Sequence, residues 1–556
     1  MWTALGRYPF NDAITSSDMT PPMPAFNDAR LRLANDRPIR ADGKYVLYWA
    51  QMSRRLTHSH ALDHALAKAR ELQRPLVVYE GLRLDYPWAS ARFHQYMLEG
   101  MRDNAATAAR VGATYWPFVE TPDQPARGLV RTLCESACLL VTDDYPQFIV
   151  PAQTRAVATA VEIAVHAIDG NGLVPLSLLG PPTAAAAHLR PKWHKLFAEA
   201  WQHQATAEPD FDTGAKGKPK PPFKLWKPPA DLAAFVTGLP IDQTVPPVPG
   251  VVGGSVAGSE VLSDFVQFKL KRYADGRNAP DDPKRNAASG LSALLHYGHL
   301  SIQQVTEAVL GPTWTLGELN PKTRNRDDFF CRDANVNGFL DEAITWRDVG
   351  HQWHFARMGQ LKTPGTVSRA AGERPAFNFD TFDFSPLSAT GTLAGVLPDW
   401  ALATLKKHAT DTREFLYTLE QFENADTHDE LWNAAQRELV ATGRIHNYLR
   451  MLWGKKVLEW SASPEAAYRV LEHLNNKYAL DGRDPNSYTG ILWCFGLFDR
   501  PWPPERQVFG GIRFMSSGNT AKKFKLAGYY EYVKRLPTVA QVRQGTTAIR
   551  PAGLFG

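Results

Sequence analysis

The first 200 residues alternate short apolar runs with helical patterns, and this alternation restricts the fold more than any other feature. Five apolar runs predict strands, at 45–50, 75–81, 113–119, 137–144 and 161–169. Helical periodicity fills the segments between them, at 60–73, 90–111, 124–136 and 152–160. Strands that alternate with helices predict βαβ units and a parallel sheet covered on both faces. No GxGxxG follows the first run, so a dinucleotide-binding fingerprint is absent there.

The rest of the chain changes character twice. Residues 205–258 are rich in Pro and Gly, which break helices and strands, so we expect a long interdomain connection. From about residue 259 the pattern is mostly helical and predicts an all-α domain. Two irregular stretches, 311–335 and 359–397, interrupt it. A chain of 556 residues exceeds the size of one core, which agrees with more than one domain.

Charge and cysteine content restrict the partners and the compartment. The formal net charge of +5 permits a polyanionic partner, although a solvated basic surface is the commoner cause of such a bias. Four scattered cysteines indicate a reducing compartment and lack the spacing typical of iron–sulfur ligands. The sequence has neither a signal-peptide pattern nor an apolar stretch of membrane-spanning length, so we expect no membrane partner.

Three tryptophans have a spacing that suits either packing or electron transfer. Trp453 and Trp460 are seven residues apart, which places both indoles on one face of a helix. Trp432 lies in a separate helical segment and can complete a row of three. Such a row can pass electrons to a redox cofactor, but tryptophans at helical spacing more often form a core.

Two further patterns suit the binding of a polar ligand. Glu342 and Trp346 are four residues apart and therefore share a helix face, where the carboxyl can bind a neutral ligand with amide or imide groups. A surface glutamate beside a core tryptophan explains them equally well. Asn475 and the Asp481-Gly482 turn gather polar groups that can hold a cofactor edge, although most such clusters are only turns.

Histidines and basic residues give weaker signals. His60 and His64 share a helix face as some zinc ligands do, but no acidic or cysteine partner completes the set, so we expect a helix start and no metal. Basic residues cluster at 269–277 and 513–525, between glycines, serines and aromatics. These clusters suit phosphate contacts and base stacking, or form a solvated basic face.

Several longer strings together identify a family. ENADTHDELWNAAQ, RMLWGKKVLEW, LNNKYALDGRDPNSYTGILW and FGGIRFM occur in that order, preceded by an FLDE…W element. In text and order this resembles the class II cyclobutane pyrimidine dimer photolyases of the photolyase–cryptochrome family. The similarity covers most of residues 30–535 and is closest from about 415 to 530.

The resemblance implies a Rossmann-like parallel α/β domain over 30–200, a linker over 201–258 and a helical catalytic domain over 259–540 that binds FAD and DNA. Reduced FAD (FADH⁻) would donate an electron, under light, to a pyrimidine dimer flipped out of damaged DNA. We expect a monomer in the cytoplasm of a prokaryotic-type cell. An antenna chromophore is possible, but no residue of the N-terminal half identifies one.

The resemblance also assigns roles to individual residues. Trp453 matches the tryptophan nearest the flavin, Trp432 the middle one and Trp460 the one at the solvent end. The other cofactor residues are Tyr273, Leu291, Ser292, Arg450, Asn475, Asp481 and Gly482. Glu342 matches the carboxyl that binds the dimer bases, within apolar walls formed by Trp346, Met451 and Trp493. The basic residues that enter or flank the opened duplex are Arg277 and Arg513, with Trp502 in the same loop.

Some positions depart from the family pattern. Ala293 and Leu294 stand where Pro and Trp are usual, and Phe498 replaces a common His. The rival function is a cryptochrome-like photoreceptor that binds flavin and signals without repair. The retained dimer-binding residues, and the short tail of about 20 residues after the helical domain, favour repair.

Overall fold

The computed structural model describes residues 26–280, 286–358 and 392–545. Most of the irregular stretch predicted at 359–397 lies outside these residues. The six strands are β1 Leu31–Leu33, β2 Tyr45–Trp49, β3 Leu76–Leu82, β4 Tyr115–Val119, β5 Ala137–Asp143 and β6 Val165–Ile168. The helices of the N-terminal half and the connection are α1 His60–Glu71, α2 Ala91–Val111, α3 Leu129–Cys134, α4 Val150–Ala160, α5 Ala186–Gln202 and α6 Leu232–Thr237.

The regular elements among the described residues of the C-terminal half are helices. Its α-helices are α7 Ser255–Asp264, α8 Tyr273–Gly276, α9 Ser292–His296, α10 Ile302–Leu310, α11 Ala334–Leu340, α12 Arg347–Phe355, α13 Asp399–Lys407, α14 Leu419–Glu423, α15 Glu430–Thr442, α16 Asn447–Trp460, α17 Pro464–Tyr478, α18 Pro485–Trp493, α19 Ser517–Lys523, α20 Ala527–Arg535 and α21 Val539–Arg543. Two segments are π-helical, Phe265–Lys269 and Asp341–Trp346.

The sheet has the order β1-β6-β5-β2-β3-β4, and its neighbours from β6 to β4 all pair in parallel. This confirms the Rossmann-like parallel sheet and all five predicted strands. The sequence pattern missed β1, which has three residues and pairs antiparallel to β6 at the edge. A strand that short carries too little alternation to be recognised.

Both faces of the sheet are covered, as the apolar runs require. Val46 and Tyr48 of β2 point to one face and join a core with α1, whereas Tyr45, Leu47 and Trp49 point to the other and join a core with α3. Successive strand residues alternate between faces, so a run that is apolar at every position must be buried on both sides.

The interdomain connection, residues 205–258, packs against the α/β domain. Trp226 donates its backbone N–H to the carbonyl of Pro117 on the edge strand β4. Val245 is fully buried among residues of the helical half. Arg92 of α2 donates to the carbonyl of Pro246 in the connection at 3.1 Å and to those of Tyr478 and Val440 in the helical half at 2.7 Å each. The segment therefore ties the two halves together while it covers an open sheet edge.

Residues of the two halves pack together in one core. The predicted domain bounds at 200 and 258 therefore stay a prediction. Trp193 and Phe197 of α5, which falls within the predicted α/β domain, pack with Phe329 and Phe330 of the irregular stretch 311–335. Arg190, one turn before them, pairs with Asp341 at 2.7 Å. The stretch 311–335 therefore contributes two buried rings to the interface between the halves.

Gly298 marks a close approach of the two halves and gives a test of their packing. Its φ is +68°, and a Cβ there would lie 1.8 Å from the carbonyl oxygen of Met52. Gly112, which ends α2 with a φ of +74°, has open space around it. Gly112→Ala should therefore lower the free energy of unfolding by about 1–2 kcal/mol, the strain of a left-handed backbone alone.

Gly298→Ala should cost clearly more than Gly112→Ala, because the backbone of Met52 must also move. Thermal and urea denaturation of both variants measure the difference. Equal losses of stability in the two variants would contradict the close approach.

Candidate functional site

A partly buried polar cluster joins α16 to the end of α17. The guanidinium of Arg450 donates to both carboxylate oxygens of Asp481, at 3.1 and 3.0 Å, and to the carboxamide oxygen of Asn475 at 2.5 Å. Burial raises the pKa of Asp481, but Arg450 and the hydroxyl of Ser292 more than offset this and hold it below its ordinary value. The cluster therefore presents a fixed cation, carboxylate and carboxamide together.

Close packing holds the turn after α17 beside this cluster. A Cβ at Gly482 would lie 2.7 Å from the carbonyl oxygen of Asn475, so only glycine allows the turn to come so near the helix. Arg483 follows with a φ of +64° and donates to the carbonyl of Asn476 at 2.6 Å. The sequence placed these residues at a turn, and the structure adds that the turn folds back onto Asn475.

The other predicted cofactor residues lie at different distances from the cluster. Ser292 begins α9 and reaches Asp481. Leu291 is buried at 1% exposure in the apolar core, so its side chain packs and only its backbone can face a ligand. Tyr273 lies elsewhere, with its ring against Phe339 and beneath the guanidinium of Arg277. The structure therefore groups Tyr273 with Arg277 and not with Asp481.

Three indoles form a continuous row, named here the tryptophan chain: Trp453, Trp432 and Trp460. Trp432 stacks on Trp453 at 6.4 Å between ring centroids and 8° between planes, and meets Trp460 edge-on at 6.1 Å. Its indole N–H donates to the carbonyl of Trp453 at 3.0 Å. Arg450 precedes Trp453 by three residues on the same helix face. The tryptophan chain therefore begins beside the polar cluster, and its indoles follow each other in space in the order predicted from the sequence.

The prediction that Trp460 forms the solvent end of the chain is wrong. Its exposed fraction is 2%, because Tyr417 packs edge-on against it at 5.7 Å and His428 at 5.0 Å. The hydroxyl of Tyr417 and Nδ1 of His428 are 2.6 Å apart. These two side chains separate the indole from water. The sequence could not show this, because both side chains flank short helices and reach Trp460 only through tertiary packing.

A second group of predicted residues lies on the π-helical segment Asp341–Trp346. Glu342 pairs with Arg277 at 2.5 Å and remains half-buried. Trp346 stacks on Trp493 at 4.9 Å with 18° between the planes. Partial burial raises the pKa of Glu342, and the Arg277 guanidinium opposes this rise. A carboxylate beside a double indole wall can accept a hydrogen bond from a planar ligand stacked on that wall.

A surface loop brings two more predicted residues together. The guanidinium of Arg513 lies 5.0 Å above the ring of Trp502, and Arg500 lies 4.7 Å from the same ring. The indole N–H of Trp502 donates to Asp499 at 2.9 Å, which fixes the ring. Arg513 is exposed, whereas Met451 packs half-buried on the core. The loop thus presents cations and a flat ring to solvent, a combination suited to nucleic acid.

Two positioning residues escaped the sequence reasoning. Gln436 accepts the indole N–H of Trp453 at 2.9 Å. Lys455 is fully buried, and its Nζ donates to the carbonyls of Cys494 and Trp493 at 2.7 and 3.4 Å. It thereby binds the end of the helix that carries Trp493. Gln436 follows Trp432 by four residues, which was a usable signal, but nothing in the sequence distinguishes Lys455 from a surface lysine.

The weaker sequence signals have structural explanations. His60 is the first residue of α1, after the capping Ser59, and Nε2 of His64 contacts Nδ1 of His166 at 2.9 Å. Within 26–280, 286–358 and 392–545, no group of three His, Cys, Asp or Glu is arranged to hold a metal. Across the same ranges, none of the helices has the length and apolarity to cross a membrane.

Two curated relatives match nearly the whole chain. The sequence is 30% identical over 515 residues to deoxyribodipyrimidine photo-lyase of Methanothermobacter thermautotrophicus, covering 91% of this chain and 98% of the relative. It is 32% identical over 525 residues to the protein of the same name from Oryza sativa subsp. japonica, covering 92% and 91%. No family model matches the sequence.

Solved structures agree on the fold. A class III photolyase from Agrobacterium tumefaciens superposes with a TM-score of 0.53 at 17% identity, covering 91% of this chain and 90% of that one. A cryptochrome from Synechocystis sp. superposes with a TM-score of 0.54 at 15% identity, covering 90% and 91%. At these identities the likeness extends to the fold alone, because one fold hosts several functions.

Burial of Lys455 predicts a pH dependence of stability. Burial lowers the pKa of Lys455 from 10.5 to about 8 in the folded protein. Between these values the unfolded chain binds a proton that the folded protein has released, so stability rises with pH. This residue should add about 2 kcal/mol to the free energy of unfolding between pH 7 and pH 9.5.

Urea denaturation at the two pH values checks this. Lys455→Met should lose the rise, whereas Lys407→Met, at a lysine that is 65% exposed, should keep it. A rise of equal size in Lys455→Met and the wild-type protein would contradict the assignment.

Proposed function

This chain belongs to the deoxyribodipyrimidine photo-lyase family, and we propose that it repairs cyclobutane pyrimidine dimers in DNA with light. One observation carries the proposal. The residues expected to reduce a cofactor and those expected to hold a dimer project from helices that pack directly on one another. α16 carries Arg450 and Trp453 and, through Lys455, fixes the end of α18, which bears Trp493. The motifs further indicate the class II branch of the family.

FAD is the cofactor of this family, and the residues present fit it. Arg450, Asn475 and Asp481 offer the cation, carboxamide and carboxylate that bind the polar edge of an isoalloxazine ring. Ser292 and the tight turn at Gly482 border the same cluster. When bound and reduced, the flavin supplies an electron to the dimer under light and receives it back after the ring has split.

The protein's own residues position the dimer and exclude water. Trp346 and Trp493 form a flat apolar wall on which the two joined bases of a flipped-out dimer can stack, with Met451 completing its border. Glu342 accepts a hydrogen bond from the base edge. Trp502 and Arg513 lie on the exposed loop, where they contact the opened duplex. The tryptophan chain serves a different step, because it replaces electrons that the cofactor has lost to oxidation.

A light sensor without repair activity is the alternative function. A sensor needs the cofactor residues and the tryptophan chain, but it has no use for a carboxylate beside a paired indole wall. Glu342, Trp346 and Trp493 are brought together here from segments about 150 residues apart. This arrangement favours repair. An enzyme that acts on single lesions needs one copy of this site, and we propose a monomer that works beside its DNA in the cytoplasm.

Light-dependent loss of dimers is the direct test. Purified, chemically reduced protein should remove dimers from an oligonucleotide under blue or near-ultraviolet light and leave them intact in the dark. Glu342→Ala should weaken dimer binding and repair about 10- to 100-fold while keeping its bound FAD, because it loses one charged hydrogen bond. Dimers that persist in the light with flavin-loaded wild-type protein would refute repair and favour the sensor.

The tryptophan chain makes a separate prediction. Trp453→Phe should abolish photoreduction of the oxidised flavin, because the first indole is missing, yet it should repair normally once the flavin is reduced chemically. Absorption spectra recorded during illumination follow the reduction. Trp314 lies in the stretch 311–335, outside the tryptophan chain, and donates its indole N–H to the carbonyl of Phe330. Trp314→Phe therefore serves as the control and should photoreduce its flavin normally. Photoreduction at wild-type rate in Trp453→Phe would overturn the order of the chain.

A further inference from the structure

Arg277 occupies an unexpected place for a residue predicted to enter or flank the duplex. Its Nη1 lies 2.5 Å from Oε1 of Glu342, and its side chain is only 18% exposed. The same guanidinium stands 5.6 Å above the ring of Tyr273. A residue that binds backbone phosphates normally extends into solvent, as Arg513 does on the loop. Arg277 is instead held between an aromatic ring and the carboxylate.

We propose that Arg277 is a positioning residue, which holds Glu342 ionised and oriented so that it accepts the imide N–H of a thymine in the dimer. This rests on the proposed function and adds to it. An ionised carboxylate only accepts hydrogen bonds, whereas a protonated one presents a donor to the ring. Each thymine of a dimer offers an N3–H donor on its pairing edge, and only the ionised form can accept one such donor on each of its two oxygens without presenting a donor of its own.

The surroundings of Glu342 make such a partner necessary. Its neighbour Asp341 is a second carboxylate one residue away, and both Asp341 and partial burial raise the pKa of Glu342. Arg190 already binds Asp341 through two hydrogen bonds, at 2.7 and 2.9 Å. Arg277 therefore supplies the main opposing charge, with a smaller contribution from the exposed Arg326.

Tyr273 also faces the Arg277–Glu342 pair but brings no charge to it. Burial raises the pKa of Tyr273 to about 12, and Glu342 adds to that rise, so the phenol stays neutral at physiological pH. The ring also shields one face of the guanidinium from water. Tyr273, predicted from the resemblance as a cofactor residue, here flanks the Arg277–Glu342 pair.

The test measures affinity for an oligonucleotide with one thymine dimer, by filter binding in the dark between about pH 5 and pH 9. Wild-type affinity should fall as pH decreases, because Glu342 becomes protonated. In Arg277→Gln the same fall should begin about 1–3 pH units higher, since the opposing charge is gone. Arg277→Lys, which keeps the charge, should restore a profile near wild type. The Glu342→Gln variant should bind the dimer-containing oligonucleotide more weakly, and its affinity should not fall through protonation at position 342.

A salt titration separates this role from a phosphate contact. Loss of a phosphate contact would reduce the slope of log affinity against log salt by about 0.9, whereas loss of a positioning residue leaves the slope unchanged. The proposal is overturned by an unshifted pH profile in Arg277→Gln, or by that reduction in its salt slope. Equal affinity of wild-type protein for damaged and undamaged DNA would instead remove the proposed function, and the role of Arg277 with it. Circular dichroism confirms that each variant is folded.

Discussion

The burial of α16 on all sides is the constraint on which the rest of the helical half depends. At Gly454 a Cβ would lie 2.5 Å from the sulfur of Cys494, so the side chain of Cys494 at the end of α18 packs directly on the backbone of α16. α15 packs on another face through the stacked rings of Trp432 and Trp453. A surrounded helix can present different residues to several neighbours at once, because its side chains leave it in all directions.

This arrangement explains how one helix serves two tasks. Arg450 meets the turn after α17, and Trp453 passes to α15, so the polar cluster and the tryptophan chain share a rigid support. Lys455 holds the end of α18, which carries Trp493 toward Trp346. Rigid placement of this kind matters for electron transfer and for stacking, because both weaken rapidly as rings move apart. The polar cluster, the tryptophan chain and the paired indoles are thereby held by one packed group of helices.

Much of the fold could be predicted, since buried parallel strands and amphipathic helices leave strong periodic patterns. The tryptophan order followed from spacing and resemblance. The solvent shielding of Trp460 did not, because Tyr417 and His428 reach it only through tertiary packing. Arg277 and Glu342 are 65 residues apart in sequence, so their ion pair depends on tertiary packing that no local pattern encodes. The contact of Lys455 with the end of α18 was not predicted for the same reason, because in the sequence Lys455 resembles any other polar residue.

We propose that one buried helix, α16, sets a flavin between the tryptophan chain and the dimer-binding wall. A crystal structure of the FAD-loaded protein bound to duplex DNA with a single thymine dimer measures this directly. We expect the flavin against Arg450 and Asn475, and the flipped dimer on Trp346 and Trp493, with Glu342 within about 3 Å of a base N–H. A dimer that stays inside the duplex, or a flavin bound away from α16, would contradict this placement of the two ligands.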